Sequence, residues 1–163
     1  MFFRSLLTLA VAALSVATSS AYNFTISKLE GVTLQPATSL QFGPDNRLYV
    51  AQVTGQILAL EIQRTAPNTY QVVSTETINL VRDIPNYDDN GQRNFTLTTR
   101  QVTGLLVTGT ASAPVIYVSS SDPRIGGGHD GALTNLDTNS SMISRLDRVA
   151  GTWRTRSFLR QVP

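Results

Sequence analysis

The sequence predicts an all-β protein in which short antiparallel strands are joined by tight turns. Apolar or alternating runs of four to seven residues recur after residue 38, and turns rich in Gly, Pro and Asn separate them, as in an antiparallel meander. No segment after residue 21 keeps a 3.6-residue periodicity, so little helix is expected. The order of strands also repeats once along the chain, which predicts two related units.

The first segment, residues 1–21, is predicted to be a secretory signal peptide that is removed before folding. Arg4 supplies a positive charge, residues 6–17 form an apolar run of 12 residues, and small side chains precede cleavage after Ala21. The alternative is a membrane anchor, but a span needs about 20 apolar residues. We therefore expect a secreted protein whose folded part is residues 22–163, with no membrane association after cleavage.

The first predicted unit has four strands separated by turn residues. These strands are expected at residues 39–42, 47–51, 56–62 and 70–73. The second unit repeats the order, with strands expected at residues 104–107, 115–118, 142–146 and 153–156. Residues 83–94 form an irregular link, and residues 121–141 form a long insertion. Tyr49 aligns with Tyr117, and Tyr70 with Trp153, so these aromatic side chains are expected to pack between units.

Four short strands in each unit are typical of a β-propeller blade. Because a propeller needs about four to eight blades, we expect residues 22–163 to be the N-terminal part of a propeller, truncated at the C-terminus. The alternative is a small β-sandwich with eight strands.

The composition excludes several functional classes. The chain has no Cys, which excludes disulfides, Cys-ligated metals and a thiol nucleophile. Its 13 basic residues are scattered and nearly balanced by 11 acidic residues, so no nucleic-acid partner is expected.

Three Asn-x-Ser/Thr triplets are candidates for N-glycosylation of a secreted eukaryotic protein. The triplets begin at Asn23, Asn94 and Asn139. Chance is the alternative, since the chain is rich in Ser and Thr.

Several stretches resemble secreted six-bladed propellers of the glucose/sorbosone dehydrogenase family. Residues 43–51 read Gly-Pro-Asp-Asn-Arg-Leu-Tyr-Val-Ala, similar to a blade signature of that family. Residues 101–106 and 115–119 are similar to its Gln-x-Gly-Leu-Leu strand and the Tyr-bearing strand that follows. The strands at residues 143–146 and 158–163 also match in order, and residues 120–128 and 135–140 are similar to a subgroup of large secreted members.

The resemblance implies a quinoprotein that oxidises sugars with pyrroloquinoline quinone and calcium. In such enzymes a His takes the proton of the sugar hydroxyl while hydride passes to the quinone. Gln101 matches the cofactor-side Gln, one residue further from Gly104 than in the family. The family's catalytic His and calcium ligands would lie beyond Pro163, so this chain alone is expected to be inactive and to bind neither cofactor. The alternative is a non-catalytic extracellular propeller that binds carbohydrate or protein.

Two further candidates lie in the insertion. His129 follows three glycines and precedes Asp130, so it is either a general base on a loop or a solvated side chain. Alternating oxygen-bearing side chains at residues 135–141 are similar to a calcium loop. The segment lacks the turn Gly and the bidentate Glu of that motif, which favours an Asx-rich turn instead.

Overall fold

The chain folds as an all-β protein. The computed structural model describes residues 24–88, 91–124 and 141–160, with side chains as far as residue 156, and across these ranges every regular element is a strand. The predicted signal peptide and Asn23 lie outside them. Nor does any helix in the described ranges have the length and hydropathy to cross a membrane. The strands are β1 (Leu29–Glu30), β2 (Ala37–Phe42), β3 (Leu48–Gln52), β4 (Ile57–Ala66), β5 (Thr69–Ile78), β6 (Asn86–Tyr87), β7 (Arg93–Asn94), β8 (Gln101–Gly109), β9 (Pro114–Ser121), β10 (Met142–Val149) and β11 (Thr152–Arg160).

Sheet 1 contains the four strands predicted for the first unit. Strands β2 to β5 are antiparallel neighbours in chain order, and β1 adds a short parallel pairing at the outer edge of β5. β4 and β5 extend further than predicted because the turn between them is tight enough to keep the strands paired. Asn68 has a φ of 59° there, a left-handed conformation that Asn tolerates better than most residues.

Sheet 2 contains the four strands predicted for the second unit. Strands β8 to β11 again pair in chain order, with every neighbour antiparallel. The predicted meander is therefore confirmed in both sheets. The link between them is more regular than expected, because β6 and β7 form a short antiparallel pair within it.

The two sheets share a buried interface. Tyr49 and Trp153 meet there with ring centroids 6.3 Å apart and planes at 86°, an edge-to-face arrangement favoured by the ring quadrupoles. Sheet 1 contributes Tyr49, Ala51, Ile57, Ala59 and Ile78, and sheet 2 contributes Val102, Val107, Ile116, Val118, Leu146 and Trp153. Burial of these apolar side chains is the main source of stability between the sheets.

Each sheet also has an outer face that points away from this interface. On sheet 1 the outer face buries Val50, Leu58, Leu60 and Val72 beneath an N-terminal segment that includes Leu29. Leu40 and Phe42 on the same face remain 64% and 62% exposed. On sheet 2 the outer face leaves Leu106 51% exposed and Ile143 38% exposed.

Strands β2 and β8 bring the sheets closest together, and Gln41 joins them. Its Nε2 donates to the carbonyl oxygen of Val107 at 2.9 Å, and the Val107 N–H donates back to Oε1 at 2.8 Å. The carboxamide thus bonds to the backbone of β8 as a strand would.

The predicted packing of aromatic side chains between the units holds for only two of the four. Tyr49 is fully buried and Trp153 is 9% exposed, both in the shared interface. Tyr70 lies on the outer face of sheet 1 and is 37% exposed. Tyr117 lies half-buried on the outer face of sheet 2.

Candidate functional site

The candidate site lies at one end of both sheets, where β8 begins, β9 ends and the link between the sheets crosses. We call this region the polar end. The turn between β3 and β4 also reaches it, since the Arg100 N–H donates to the carbonyl oxygen of Thr54 at 3.3 Å. Gly55 allows this close approach, because a Cβ there would lie 2.7 Å from the Arg100 carbonyl oxygen. Loops held on a rigid scaffold in this way commonly carry function.

Arg100 is the buried centre of the polar end. It is 0% exposed, and a guanidinium can be buried at tolerable cost only when it is hydrogen-bonded. Its Nε donates to Ser120 Oγ at 3.0 Å and its Nη1 to Asn86 Oδ1 at 3.1 Å. Asn86 Nδ2 in turn donates to the carbonyl oxygen of Thr99 at 2.8 Å. These bonds fix the link against the second sheet.

Arg124 ties the end of β9 to the β6–β7 pair. Its Nε and Nη2 donate to the two carboxylate oxygens of Asp122 at 3.0 and 2.7 Å. Its Nη1 donates to Asp88 Oδ1, and Nη2 also donates to the Tyr87 carbonyl oxygen, both at 2.7 Å. The hydrogen bonds to Asp122 hold the pKa of Arg124 above its ordinary value, although partial burial opposes them. The guanidinium therefore stays charged and serves as a structural tie.

Gln101 is the residue that the family resemblance places at the cofactor. It begins β8, is half-buried, and lies opposite Ser121 on the outer face of sheet 2. Ser121 lines a cleft of about 350 Å³. Most of the lining side chains carry hydroxyls, and Thr103 Oγ1 lies 3.0 Å from Ser119 Oγ. The cleft is lined by Thr103, Ser119, Ser120, Ser121, Ser141, Met142 and Ile143. Such a surface can hydrogen-bond a polar ligand.

The described residues do not by themselves form a site for pyrroloquinoline quinone or calcium. The quinone is an anion with three carboxylates and calls for cationic or N–H partners. Arg100 and Arg124 already donate to the protein's own oxygens. Within the described ranges, no group of three His, Asp or Glu side chains is placed to hold a metal ion. Gln101 is thus the one residue given by the resemblance that can be located relative to the polar end.

Of the glycosylation candidates, Asn94 is the one that the structure describes. It ends β7 and forms an Asx turn in which its Oδ1 accepts from the Thr96 hydroxyl at 2.7 Å and the Thr96 N–H at 2.9 Å. Its Nδ2 donates to Asp88 Oδ1 at 2.9 Å, which uses one of the two amide hydrogens. Asn139 and His129 lie outside the described residues, as does the candidate calcium loop except for Ser141.

A second polar network crosses the interface away from the polar end. Arg47 lies 2.7 Å from Asp45 Oδ2 and 2.5 Å from Glu76 Oε2, and Tyr49 Oη donates to Asp45 Oδ2 at 2.8 Å. Arg148 of sheet 2 reaches Glu76 at 3.4 Å. Burial alone would raise the pKa of Asp45, but the hydrogen bonds from Arg47 and Tyr49 more than offset this and hold it below its ordinary value. Burial and the bond to Asp45 together raise the pKa of Tyr49.

The sequence analysis missed Gln41, Asn86 and Arg100. Their side-chain partners lie 11 to 66 residues away along the chain, so no local pattern marks them. Asp122 and Arg124 are closer in sequence, but their spacing alone does not distinguish a structural pair from two solvated charges.

A comparison with protein-family models finds no match, and comparisons with curated proteins and with solved structures also find none.

Proposed function

We propose that this chain supplies two neighbouring blades of a secreted, quinone-dependent sugar dehydrogenase of the β-propeller type. The proposal has two parts, the blade arrangement and the chemistry. The observation that carries it is the direction in which equivalent residues of the two sheets face.

Equivalent residues face the same way around the molecule rather than toward one another. Tyr49 faces the shared interface, whereas its equivalent Tyr117 faces outward. The reverse holds for Tyr70, which faces outward, and its equivalent Trp153, which is in the interface. A sandwich with two-fold related halves would place both members of each pair on the same side of the interface. Head-to-tail placement is what successive blades of a ring require, so it favours the propeller over the sandwich.

The chemistry is supported by the position of Gln101. It lies at the end of the sheets where the linking segments converge, beside a hydroxyl-lined cleft. When bound, the quinone would accept hydride from the sugar. Gln101 would contribute a neutral carboxamide that orients the cofactor by hydrogen bonding. The catalytic base and the calcium ligands would come from outside this chain.

The test is dye reduction by the natural secreted protein, supplied with pyrroloquinoline quinone and calcium and offered a panel of aldoses. We expect sugar-dependent reduction, and Gln101→Ala should weaken quinone binding about two- to tenfold through loss of a hydrogen bond. Thr108→Ala, an exposed position on the same strand, is the control and should leave quinone binding unchanged. Absence of reduction with every sugar would overturn the enzymatic proposal.

A second candidate is a non-catalytic extracellular propeller that binds carbohydrate or protein. It is favoured by the arginines of the polar end, because Arg100 and Arg124 donate hydrogen bonds to Asn86, Asp88 and Asp122 of the protein itself rather than facing an anionic cofactor. In that case the same protein should bind an immobilised carbohydrate or protein without reducing dye, whether or not quinone is added.

A further inference from the structure

We propose that Asn94 carries an N-linked glycan and that the first sugar of this glycan packs on Phe95 and in the cleft beside it. The inference rests on secretion of the chain, which is one part of the proposed function. It depends neither on the quinone chemistry nor on the arrangement of blades.

The acceptor triplet at Asn94 lies at the surface of the link between the two sheets. Asn94 ends β7, in the short β6–β7 pair, and is half-buried. Phe95 and Thr96, the other two residues of the triplet, are exposed. A glycan is bulky and must remain in water, and this position satisfies that requirement.

The covalent step is transfer of an oligosaccharide from a lipid diphosphate donor of the secretory pathway. A bond forms between Asn94 Nδ2 and C1 of the first sugar, and the bond from C1 to the diphosphate breaks. One Nδ2 hydrogen leaves as a proton. Since a primary amide has two such hydrogens, the product keeps one N–H and the carbonyl oxygen of the side chain.

The folded structure tolerates this change at Asn94. Its Oδ1 accepts from the Thr96 hydroxyl at 2.7 Å, from the Thr96 N–H at 2.9 Å and from the Leu97 N–H at 3.2 Å. None of these bonds uses an Nδ2 hydrogen. The one N–H that remains is sufficient for the bond to Asp88 Oδ1 at 2.9 Å. The turn and the tie between Asp88 and Arg124 can therefore both persist in the glycosylated protein.

Phe95 offers the first sugar an aromatic surface. The ring is 76% exposed, and the guanidinium carbon of Arg93 lies 4.9 Å from its centre, a cation–π contact that holds the ring in place. Phe95 and Asn94 line a cleft of about 230 Å³ together with Arg82 and Asp83. Pockets for larger ligands measure about 300–1,000 Å³, so this cleft suits a single sugar ring. Apolar C–H groups of the sugar can pack on Phe95, and its hydroxyls can bond to the charged side chains.

Occupancy of Asn94 is tested by peptide mass spectrometry of the full chain secreted from a eukaryotic host. Asn23→Gln and Asn139→Gln leave Asn94 in the only remaining acceptor triplet. Enzymatic release of the glycan in heavy-oxygen water converts the Asn94 carboxamide to a labelled carboxylate, which marks each occupied site. We expect most chains to be modified. Thr96→Ala should abolish the modification, and Thr96→Ser, which keeps the hydroxyl, should retain it.

A heterologous leader in place of residues 1–21 separates failure of secretion from failure of the inference. If only this leader exports the chain, the secretion prediction is wrong, and occupancy of Asn94 is still measured. Exported chains in which Asn94 is unmodified would overturn the inference. Neither result bears on dye reduction by the natural protein, so the enzymatic proposal can fail independently.

Packing of the first sugar on Phe95 is tested by melting temperature. The glycan is trimmed to one sugar on Asn94, and this protein is compared with the unmodified chain from a bacterial periplasm. The sugar should raise the melting temperature by about 2–4 °C, as a modest added contact does in a chain of this length. Phe95→Ala should abolish this difference. Phe42→Ala, an exposed aromatic of sheet 1, is the control and should retain it. A sugar that has no effect in wild type, or the same effect in Phe95→Ala, would overturn the packing on Phe95.

Discussion

Sheet 1 and sheet 2 have the same strand order, yet the equivalent tyrosines Tyr49 and Tyr117 have different surroundings. Tyr49 is fully buried against Trp153, whereas Tyr117 lies half-buried on an outer face. An arginine lies over each ring: Arg47, which immediately precedes β3, lies over Tyr49, and Arg145 of the neighbouring strand lies over Tyr117. The difference therefore comes from the neighbouring sheet and not from the strand that carries the tyrosine.

The charged partners of the two arginines differ in the same way. Arg47 bonds to Asp45 and to Glu76, whose carboxylate also meets Arg148 of the other sheet. Arg145 has a 2.8 Å contact to Asp147 of its own strand. Arg156 also lies 3.4 Å from Asp147, so each arginine belongs to a small group of charges, but only the group around Arg47 crosses to the other sheet, where burial makes it contribute more than exposed surface pairs. The comparison predicts unequal effects of equivalent substitutions.

The largest expected difference is between Tyr49→Ala and Tyr117→Ala. Removing the Tyr49 ring leaves a cavity beside Trp153 and should lower the free energy of unfolding by about 3–5 kcal/mol. Removing the Tyr117 ring from an outer face should change it by less than about 1 kcal/mol. Urea unfolding, followed by fluorescence of the single tryptophan, measures both at a concentration where the protein is monomeric. Equal losses for the two variants would contradict the assignment of inner and outer faces.

A smaller effect is expected at Gln41, which joins the sheets at their closest strands. Gln41→Leu introduces the residue that sheet 2 has at the equivalent position and leaves the Val107 N–H and carbonyl without the carboxamide. Loss of these bonds should cost about 1–3 kcal/mol. Gln63→Leu, at an exposed position on β4, is the matched control and should stay within about 0.5 kcal/mol of wild type. Denaturant unfolding of both variants measures the difference. If Gln41→Leu leaves the free energy of unfolding unchanged, the hydrogen bonds between Gln41 and Val107 add nothing to the apolar packing.

Sequence patterns predicted the strands well because strands β2 to β5 and β8 to β11 each pair with a neighbour in the sequence, so that the turns between them are short and easily recognised. All eight predicted strands are present, since turn residues such as Asn68 and the alternation of apolar side chains mark their ends and faces. The patterns could not tell which of two equivalent aromatics would be buried, because that depends on a sheet formed by distant residues. For the same reason no sequence pattern marked Arg100, whose guanidinium donates to residues 14 and 20 positions away in the chain. Gln101 was predicted only through the family resemblance, and its role stays a prediction.

The smallest expected effect is the pH dependence of the interface network around Asp45. The pKa of this carboxyl is lower in the folded state than its ordinary value of 3.8. Its contribution to stability is therefore fully present above the unfolded-state pKa and is lost as pH falls through the folded-state value. Asp45→Asn should lower the melting temperature at neutral pH by about 2–4 °C. The difference in melting temperature between wild type and this variant should disappear as the pH falls below about 4.

The matched control for this prediction is Asp83→Asn. The side chain of Asp83 is 59% exposed, and its carboxylate lies 3.1 Å from Nε of the neighbouring Arg82. Because solvent screens such a pair, the melting temperature of this variant should differ little from that of wild type at every pH. Melting curves of the three proteins between pH 7 and pH 2 give the comparison. If the difference in melting temperature between Asp45→Asn and wild type stays constant down to pH 2, the ionised carboxylate is not stabilised by Arg47 and Tyr49. The contact between the sheets would then depend on apolar packing and the Gln41 bonds alone.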